Sequence, residues 1–331
     1  MSGSAPAWRE PLLRSWDEWD GRLVVASPDV DGLLCAALAA HLRGARLAGL
    51  YTTSSLLLLD GADLAAAKDA LWLDHDIFHP DILCFGQHLI NFAPHDTRDF
   101  QSGGCFNPNE FFGQVYADSF SGVRGKRRDK YPFGTIHFLL AALDGGDENL
   151  TSSRLAVLAH ADGVWANCIK YPVNCEIWRN LMFGEDLSTF FVEVLGSYPK
   201  RGDQHEVHLN LVRGLQAAGV SRRGSESAGA GQIPDHLKPL QGMQAVAYAH
   251  GHDLENYLGK VRRVLDLLKQ ATGWNVNLPD SVSSAHRAEV AQDYPDKVEK
   301  RGFRNFMTEE KIFSHAIKGQ TSIRFTRSFL G

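Results

Sequence analysis

Cysteine is sparse in this chain and never set at metal-ligand spacing. The five cysteines (35, 84, 105, 168 and 175) are odd in number and include no C-x-x-C pair. That usage points to free thiols in a reducing compartment and gives no support to a zinc ribbon. Long hydrophobic runs are missing as well. The longest in the N-terminal half, Leu56 to Leu59, is far too short to cross a bilayer. Trp8, Glu10, Trp16 and Asp17 stand where a secretory signal needs an apolar core, so the expectation is a cytoplasmic protein without a membrane partner. Excess positive charge is absent too. The net charge is −5 over 331 residues, so no overall basic field draws duplex DNA, and only a local basic groove remains compatible with nucleic acid.

What is present is ordinary globular composition, 44% hydrophobic and 22% charged, with length enough for two domains. The chain is organised around Leu23-Val24-Val25-Ala26-Ser27-Pro28-Asp29-Val30-Asp31-Gly32. An apolar run of strand type meets a proline, two carboxylates one residue apart, a glycine, and then a helix-type run from Leu33 to Leu42. This reads as strand, tight turn and helix, with Asp29 and Asp31 at the carboxyl end of a strand, where open α/β sheets bind ligands. Carboxylates so close repel each other unless a cation sits between them.

Strand and helix signals alternate from there. Arg46–Tyr51 reads as a strand and Leu64–Asp69 as a short helix capped by Asp60 or Asp63. Ala70–Leu73 is a short buried strand running into Asp74, and Ile82–Phe85 another, running into Gly86-Gln87-His88. Tyr131–Leu143 has the spacing of an amphipathic helix. Leu155–Leu158 reads as a strand before His160-Ala161-Asp162-Gly163. Such alternation predicts an α/β fold with a mostly parallel sheet. Helical segments follow over 176–197 and 204–218, and the Gly/Ser-rich stretch 219–231 has linker composition. A strand at Ala245–Tyr248, a helix at Leu254–Thr272 and a strand at Ser322–Thr326 complete the chain. The predicted organisation is an N-terminal domain over 20–200, a helical connector and linker over 201–235, and a small α/β C-terminal domain over 236–331.

Asp29, Asp31, Asp74, His88 and Asp162 would thus emerge at one rim of the sheet. Carboxylates with one imidazole suit Mn²⁺ or Mg²⁺ rather than a thiolate zinc site. Each member also has a plainer reading: D-x-D-G caps helices, a lone histidine packs in a core, and Asp162 could cap the segment after it.

The order of these residues resembles the DHH phosphoesterase superfamily, which includes RecJ-like single-strand exonucleases, oligonucleotide phosphodiesterases and family II pyrophosphatases. Asp29-Val30-Asp31-Gly32 is similar to its first motif, Asp74 to its second, Asp162 to its fourth, and Asn107-Pro108 to the Asn-Pro after the third. At the third motif itself, Gln87-His88-Leu89 stands where the family has Asp-His-His. The resemblance spans roughly residues 20 to 170. It implies a parallel-sheet domain, metal ligation and catalysis by Asp29, Asp31, Asp74, His88 and Asp162, and hydrolysis of phosphodiester bonds by metal-activated water. Single-stranded nucleic acid or a short oligonucleotide is the implied substrate. Asn107, Arg324 and Arg327 are the implied substrate contacts, the arginines lying in a small DHHA1-like domain. The departures at Gln87 and Leu89 keep a catalytically silent binding or scaffold protein open, and a nucleotide or pyrophosphate phosphatase is a third reading.

The basic run from Arg124 to Lys130 fits a solvated loop or a phosphate-tracking edge with Phe120 and Tyr131 beside it. His205 and His208, at helical spacing, read as surface residues.

Overall fold

The computed structural model describes residues 16–53, 55–79, 81–87, 104–111, 131–143, 151–182, 202–222, 243–246, 253–293, 301, 303–318 and 322–327. A 3-10 turn (Asp17–Trp19) leads into β1 (Leu23–Ala26), α1 (Val30–Arg43), β2 (Arg46–Thr52), β3 (Ser55–Leu59), α2 (Leu64–Asp69), β4 (Leu71–Leu73), β5 (Leu83–Phe85) and β6 (Cys105–Phe106). There follow α3 (Pro108–Phe111), α4 (Thr135–Ala142), α5 (Ser152–His160), a 3-10 turn (Ala161–Gly163), α6 (Val164–Lys170), α7 (Pro172–Met182) and α8 (Gly202–Ala217). The remainder is β7 (Val220–Arg222), β8 (Met243–Val246), α9 (Leu254–Thr272), β9 (Val282–Arg287), β10 (Val290–Asp293), α10 (Phe303–Glu309), β11 (Ile312–Lys318) and β12 (Ser322–Arg327).

The main sheet has seven strands in the order β6-β5-β4-β1-β2-β3-β9. Pairings from β6 through to β2 are parallel, whereas β3 lies antiparallel to both β2 and β9. The fold is α/β with a mostly parallel sheet. Its strands are apolar on both sides because both faces are covered. Val24, Ala26, Leu71 and Leu73 face the larger core, with α1, α4, α5, α8 and α9. Val25, Trp72, Leu56 and Leu58 face the smaller one, with α2 and Phe313 of β11. Trp19 is fully buried and meets Phe85 edge-on at 4.8 Å, and Trp16 packs on Trp19 at 4.2 Å, so Trp16 and Trp19 dock on the body.

β1 connects onward to β2 on one side, while β4 lies on its other side and connects away to β5. The strand order therefore reverses between β1 and β4, and this is where ligands of open α/β sheets bind.

Several elements differ from expectation. Leu155–Leu158 is no strand: it lies inside α5, which is capped by Thr151, whose side chain accepts the Arg154 N–H. Asp162 therefore follows a helix rather than a strand. The segment expected as an amphipathic helix from Tyr131 becomes helical only at Thr135, and every residue of α4 is buried. Of the stretch 236–331 drawn as a separate unit, residues 254–287 are built into the main layer: α9 packs on α1 and α5, and β9 is the sheet's edge strand. The small sheet β10-β12-β11 stands apart. It abuts the carboxyl rim, where the Phe78 N–H donates to the Phe313 carbonyl and Tyr51 Oη lies 2.5 Å from Ser314 Oγ. Among the described residues, no helix is long and apolar enough to cross a membrane.

Candidate metal centre

The turn after β1 places Asp29 as the N-cap of α1. Its extended backbone lets Oδ1 accept the Gly32 N–H at 2.9 Å, satisfying one of the amides a helix start leaves unpaired. Gly32 is needed for closeness rather than for a special backbone angle. A Cβ there would overlap Ser27 Oγ and come within 2.6 Å of the Ser27 carbonyl oxygen. β4 ends at Asp74, held in the left-handed region at φ 62°, where Asp is among the few tolerated side chains.

Ser27 joins the two strand ends. Its Oγ lies 2.7 Å from Asp29 Oδ1 and 2.6 Å from Asp74 Oδ2. A hydroxyl carries one proton, and both oxygens facing it are carboxylate acceptors. Hydrogen bonding at both contacts requires a further proton on Asp29 or Asp74. Burial first, and the Asp74 charge second, push Asp29 up to about 8 from its ordinary 3.8. The same causes, burial and then the charges of Asp74, Asp162 and Asp29, hold Asp31 well above the usual carboxylate range. The four carboxylates thus share one electrostatic site.

Asp31 is turned toward another helix. Its Oδ2 accepts the Thr135 N–H at 2.7 Å and its Oδ1 the Ile136 N–H at 2.9 Å. It caps α4, whose positive end offsets its charge. Gly134 lets it approach, since a Cβ there would sit 2.7 Å from Asp31 Oδ2. Thr135 Oγ1 donates to Asp74 Oδ1 at 2.7 Å, so α4 fixes two of the carboxylates. Asp162 completes the group from the turn after α5, again left-handed at φ 48°. Its Oδ2 accepts from Gln87 Nε2 at 2.6 Å.

A buried polar chain lies behind Gln87. The Gln87 carbonyl accepts from Asn109 Nδ2 at 3.0 Å, and Asn109 Oδ1 accepts the Tyr131 N–H at 2.7 Å. Asn107, expected to meet substrate, is fully buried. Its amide donates to Asp76 Oδ1 at 2.6 Å and its Oδ1 accepts from Asn109, so it braces the site from inside. Arg327 is also engaged within the protein, paired with Glu289 and, at 2.9 Å, with Glu310. Arg324 lies on β12 opposite Ala316 and Gln292, and its side chain is outside the described residues. So are His88, Leu89 and the 124–130 run. His208, expected at the surface, is buried with its ring 5.2 Å from that of fully buried His160.

The fold brings together Asp29, Asp31, Asp74 and Asp162, the four carboxylates singled out in the sequence. Sequence reasoning missed Ser27 and Thr135 as their partners. Ser27 had a signal, standing two residues before Asp29 at a strand end. Thr135 had none, because its partner Asp74 lies 61 residues away. No family model, curated protein or solved structure matches the chain.

Among the described residues, no three His, Cys, Asp or Glu side chains close on a common point as a metal cage. The donor set is nonetheless that of a hard divalent cation. It is all oxygen and short of protons at Ser27, and Asp29 Oδ2 and Asp162 Oδ1 accept from no donor among the described residues.

Proposed function

We propose that the chain is a divalent-metal-dependent phosphoesterase of DHH type, hydrolysing phosphodiester bonds in single-stranded nucleic acid or short oligonucleotides. The observation that carries this reading is the gathering of Asp29, Asp31, Asp74 and Asp162 at the strand-order switch between β1 and β4, with Asp29 pushed up to about 8. Repelling carboxylates brought together at a strand-order switch are what a cation site requires.

In this reading Asp29, Asp74 and Asp162 offer oxygens to Mn²⁺ or Mg²⁺, together with His88. A bound cation would polarise a phosphoryl oxygen and lower the pKa of a bound water. The chain's own part is orientation. Ser27 and Thr135 fix the two oxygens of Asp74, Gln87 fixes Asp162, and Asp31 holds α4 so that Thr135 stays in place. Nucleic acid as substrate is supported by the basic 124–130 sequence.

One observation favours a second reading, a non-catalytic binding protein of the same fold: Ser27, Thr135, Gln87 and backbone amides already engage at least one oxygen of each carboxylate of the cluster, and both oxygens of Asp31 and Asp74. Calorimetric titration with Mn²⁺ separates the two, combined with hydrolysis assays on a generic phosphodiester and a labelled single-stranded oligonucleotide. Mn²⁺ binding and hydrolysis, both lost in Asp74→Ala, support the phosphoesterase. Absence of both in the unaltered protein leaves the binding protein.

A further inference from the structure

We propose that Cys168 and Cys175 form a redox-reversible dithiol pair, a modification site that a hydroperoxide oxidises to a disulfide across the corner between α6 and α7. The pair is independent of the metal-dependent reading above.

Only Tyr171 separates α6, which carries Cys168, from α7, which carries Cys175. The corner is held by its own backbone. The Tyr171 N–H donates to the Asn167 carbonyl at 2.7 Å, and the Cys175 N–H to the Tyr171 carbonyl at 3.0 Å. Both thiols are free: Cys175 lies in the larger core, and Cys168 packs half-buried against it. A hydrogen bond joins the two side chains and, ahead of burial, holds the Cys175 thiol well above its ordinary range. Cys175 thus keeps its proton and donates it to the Cys168 sulfur. Sulfurs already in such contact can bond after a side-chain rotation and a small shift of the corner. The remaining cysteines are otherwise placed. Cys35 is fully buried within α1. The Ile77 N–H donates to Cys84 Sγ at 3.3 Å, and Cys105 Sγ donates to Asp76 Oδ1 at 3.6 Å.

Exposure and proton position set the order of reaction. Cys168 is the more exposed of the two, so its thiolate attacks the peroxide. An S–O bond forms as the O–O bond breaks, and the departing hydroxide leaves as water with the proton that Cys168 gave up. The Cys175 sulfur then attacks the sulfenic sulfur of Cys168. The S–S bond forms, the S–O bond breaks, and the Cys175 proton leaves in a second water. The two thiols lose two electrons, and one peroxide takes both. A dithiol reductant reverses the bond by exchange.

The corner lies beside the seat of α4. Asn167 Nδ2, next to Cys168, donates to the Pro132 carbonyl at 2.7 Å, and Trp178 of α7 meets Tyr131 edge-on at 5.2 Å. Both contacts fall on the segment that runs into Thr135, whose amide and hydroxyl hold Asp31 and Asp74.

The test is thiol counting and peptide mapping on the full chain in EDTA, after hydrogen peroxide and alkylation. The wild type is expected to lose two of its five thiols, to give a peptide linking Cys168 to Cys175, and to regain both thiols with dithiothreitol. Cys175→Ser is expected to stop at a sulfenic acid on Cys168, trapped by dimedone, and Cys168→Ser to keep its thiols at the same dose. Circular dichroism establishes that each variant is folded, and mapping of the wild type decides the matter if one is not. A wild type that keeps all its thiols overturns the proposal. So does a link between other cysteines, or oxidation of Cys168 to the sulfinic acid with no linked peptide.

Discussion

Asp31 on α1 caps α4 through Thr135, accepting its backbone N–H at 2.7 Å across 104 residues of chain. The second carboxylate of a D-x-D-G turn thus ties two helices together beside the carboxylate cluster. Asp31→Ala would leave the buried Thr135 and Ile136 amides unpaired. Each unpaired group costs about 1–3 kcal/mol, so the metal-free variant is expected to lose about 2–6 kcal/mol in urea unfolding. Asp31→Asn keeps one acceptor oxygen and is expected to lose less than half of that. Equal stability of Asp31→Ala and wild type would remove Asp31 from the structural role assigned here.

The carboxylate cluster also sets a pH dependence. Folded protein holds the Asp29 proton up to about pH 8, whereas an unperturbed carboxylate releases it near 3.8. Folding therefore takes up a proton between those values. Asp29's contribution to metal-free stability is fully present below the lower value and is lost as the pH rises through the upper one. A divalent cation competes with that proton, so stabilisation by Mn²⁺ is expected to grow across the same window. Urea unfolding in EDTA and in Mn²⁺, at about pH 5 and about pH 8, checks both statements. Asp29→Asn should flatten the EDTA curve. A metal-free protein that gains stability toward pH 8, with the gain abolished in Asp29→Asn, would reverse the sign assigned to Asp29.

These relationships show where the sequence was readable. Apolar runs ending in acid or glycine located β1, β4 and β5, and periodicity located α9 to the residue, because each signal is local. Leu155–Leu158 failed as a strand because a four-residue apolar run suits either state, and the deciding Thr151 cap lies outside it. β9 went unseen because Val282–Arg287 is an edge strand with alternate residues exposed, and carries Ser, Ser, His and Arg instead of an apolar stripe. The first carboxylates were legible from their own turn. The donors that hold them, Thr135 and the amides of α4, were not, since only tertiary packing brings them there.

Asp162 tests whether the carboxylate cluster is held at the expense of backbone comfort. Its φ of 48° lies where a side chain is disfavoured, by about 1–2 kcal/mol relative to glycine. Asp162→Gly and Asp162→Ala both lose the bond to Gln87 and any role in cation binding. They differ in the backbone alone, so the glycine variant is expected to melt higher, by about 1 kcal/mol in stability. Both should bind Mn²⁺ more weakly than wild type. Wild-type Mn²⁺ affinity in either variant would exclude Asp162 from the site.

Gly32 separates close packing from helix propensity. The Cβ of Gly32→Ala would overlap Ser27 Oγ and press on the Ser27 carbonyl, and both belong to the short turn that bridges Asp29 and Asp74. Ser27 must move, so the single hydroxyl can no longer reach both carboxylates. The expected cost is about 1–3 kcal/mol from overpacking, with Mn²⁺ affinity lower by roughly 10–100-fold, as for the loss of a group that orients ligands. Gly259→Ala, inside α9, is the control: its Cβ would meet only the Arg263 side chain at 3.7 Å, so it should gain about 1 kcal/mol from helix propensity and leave Mn²⁺ binding unchanged. Calorimetry and urea unfolding on the two variants decide the matter. If Gly32→Ala binds Mn²⁺ as wild type does, the Ser27 bridge has no part in holding the cation. If it loses binding while keeping most of its stability, the glycine of the turn serves the site more than the fold.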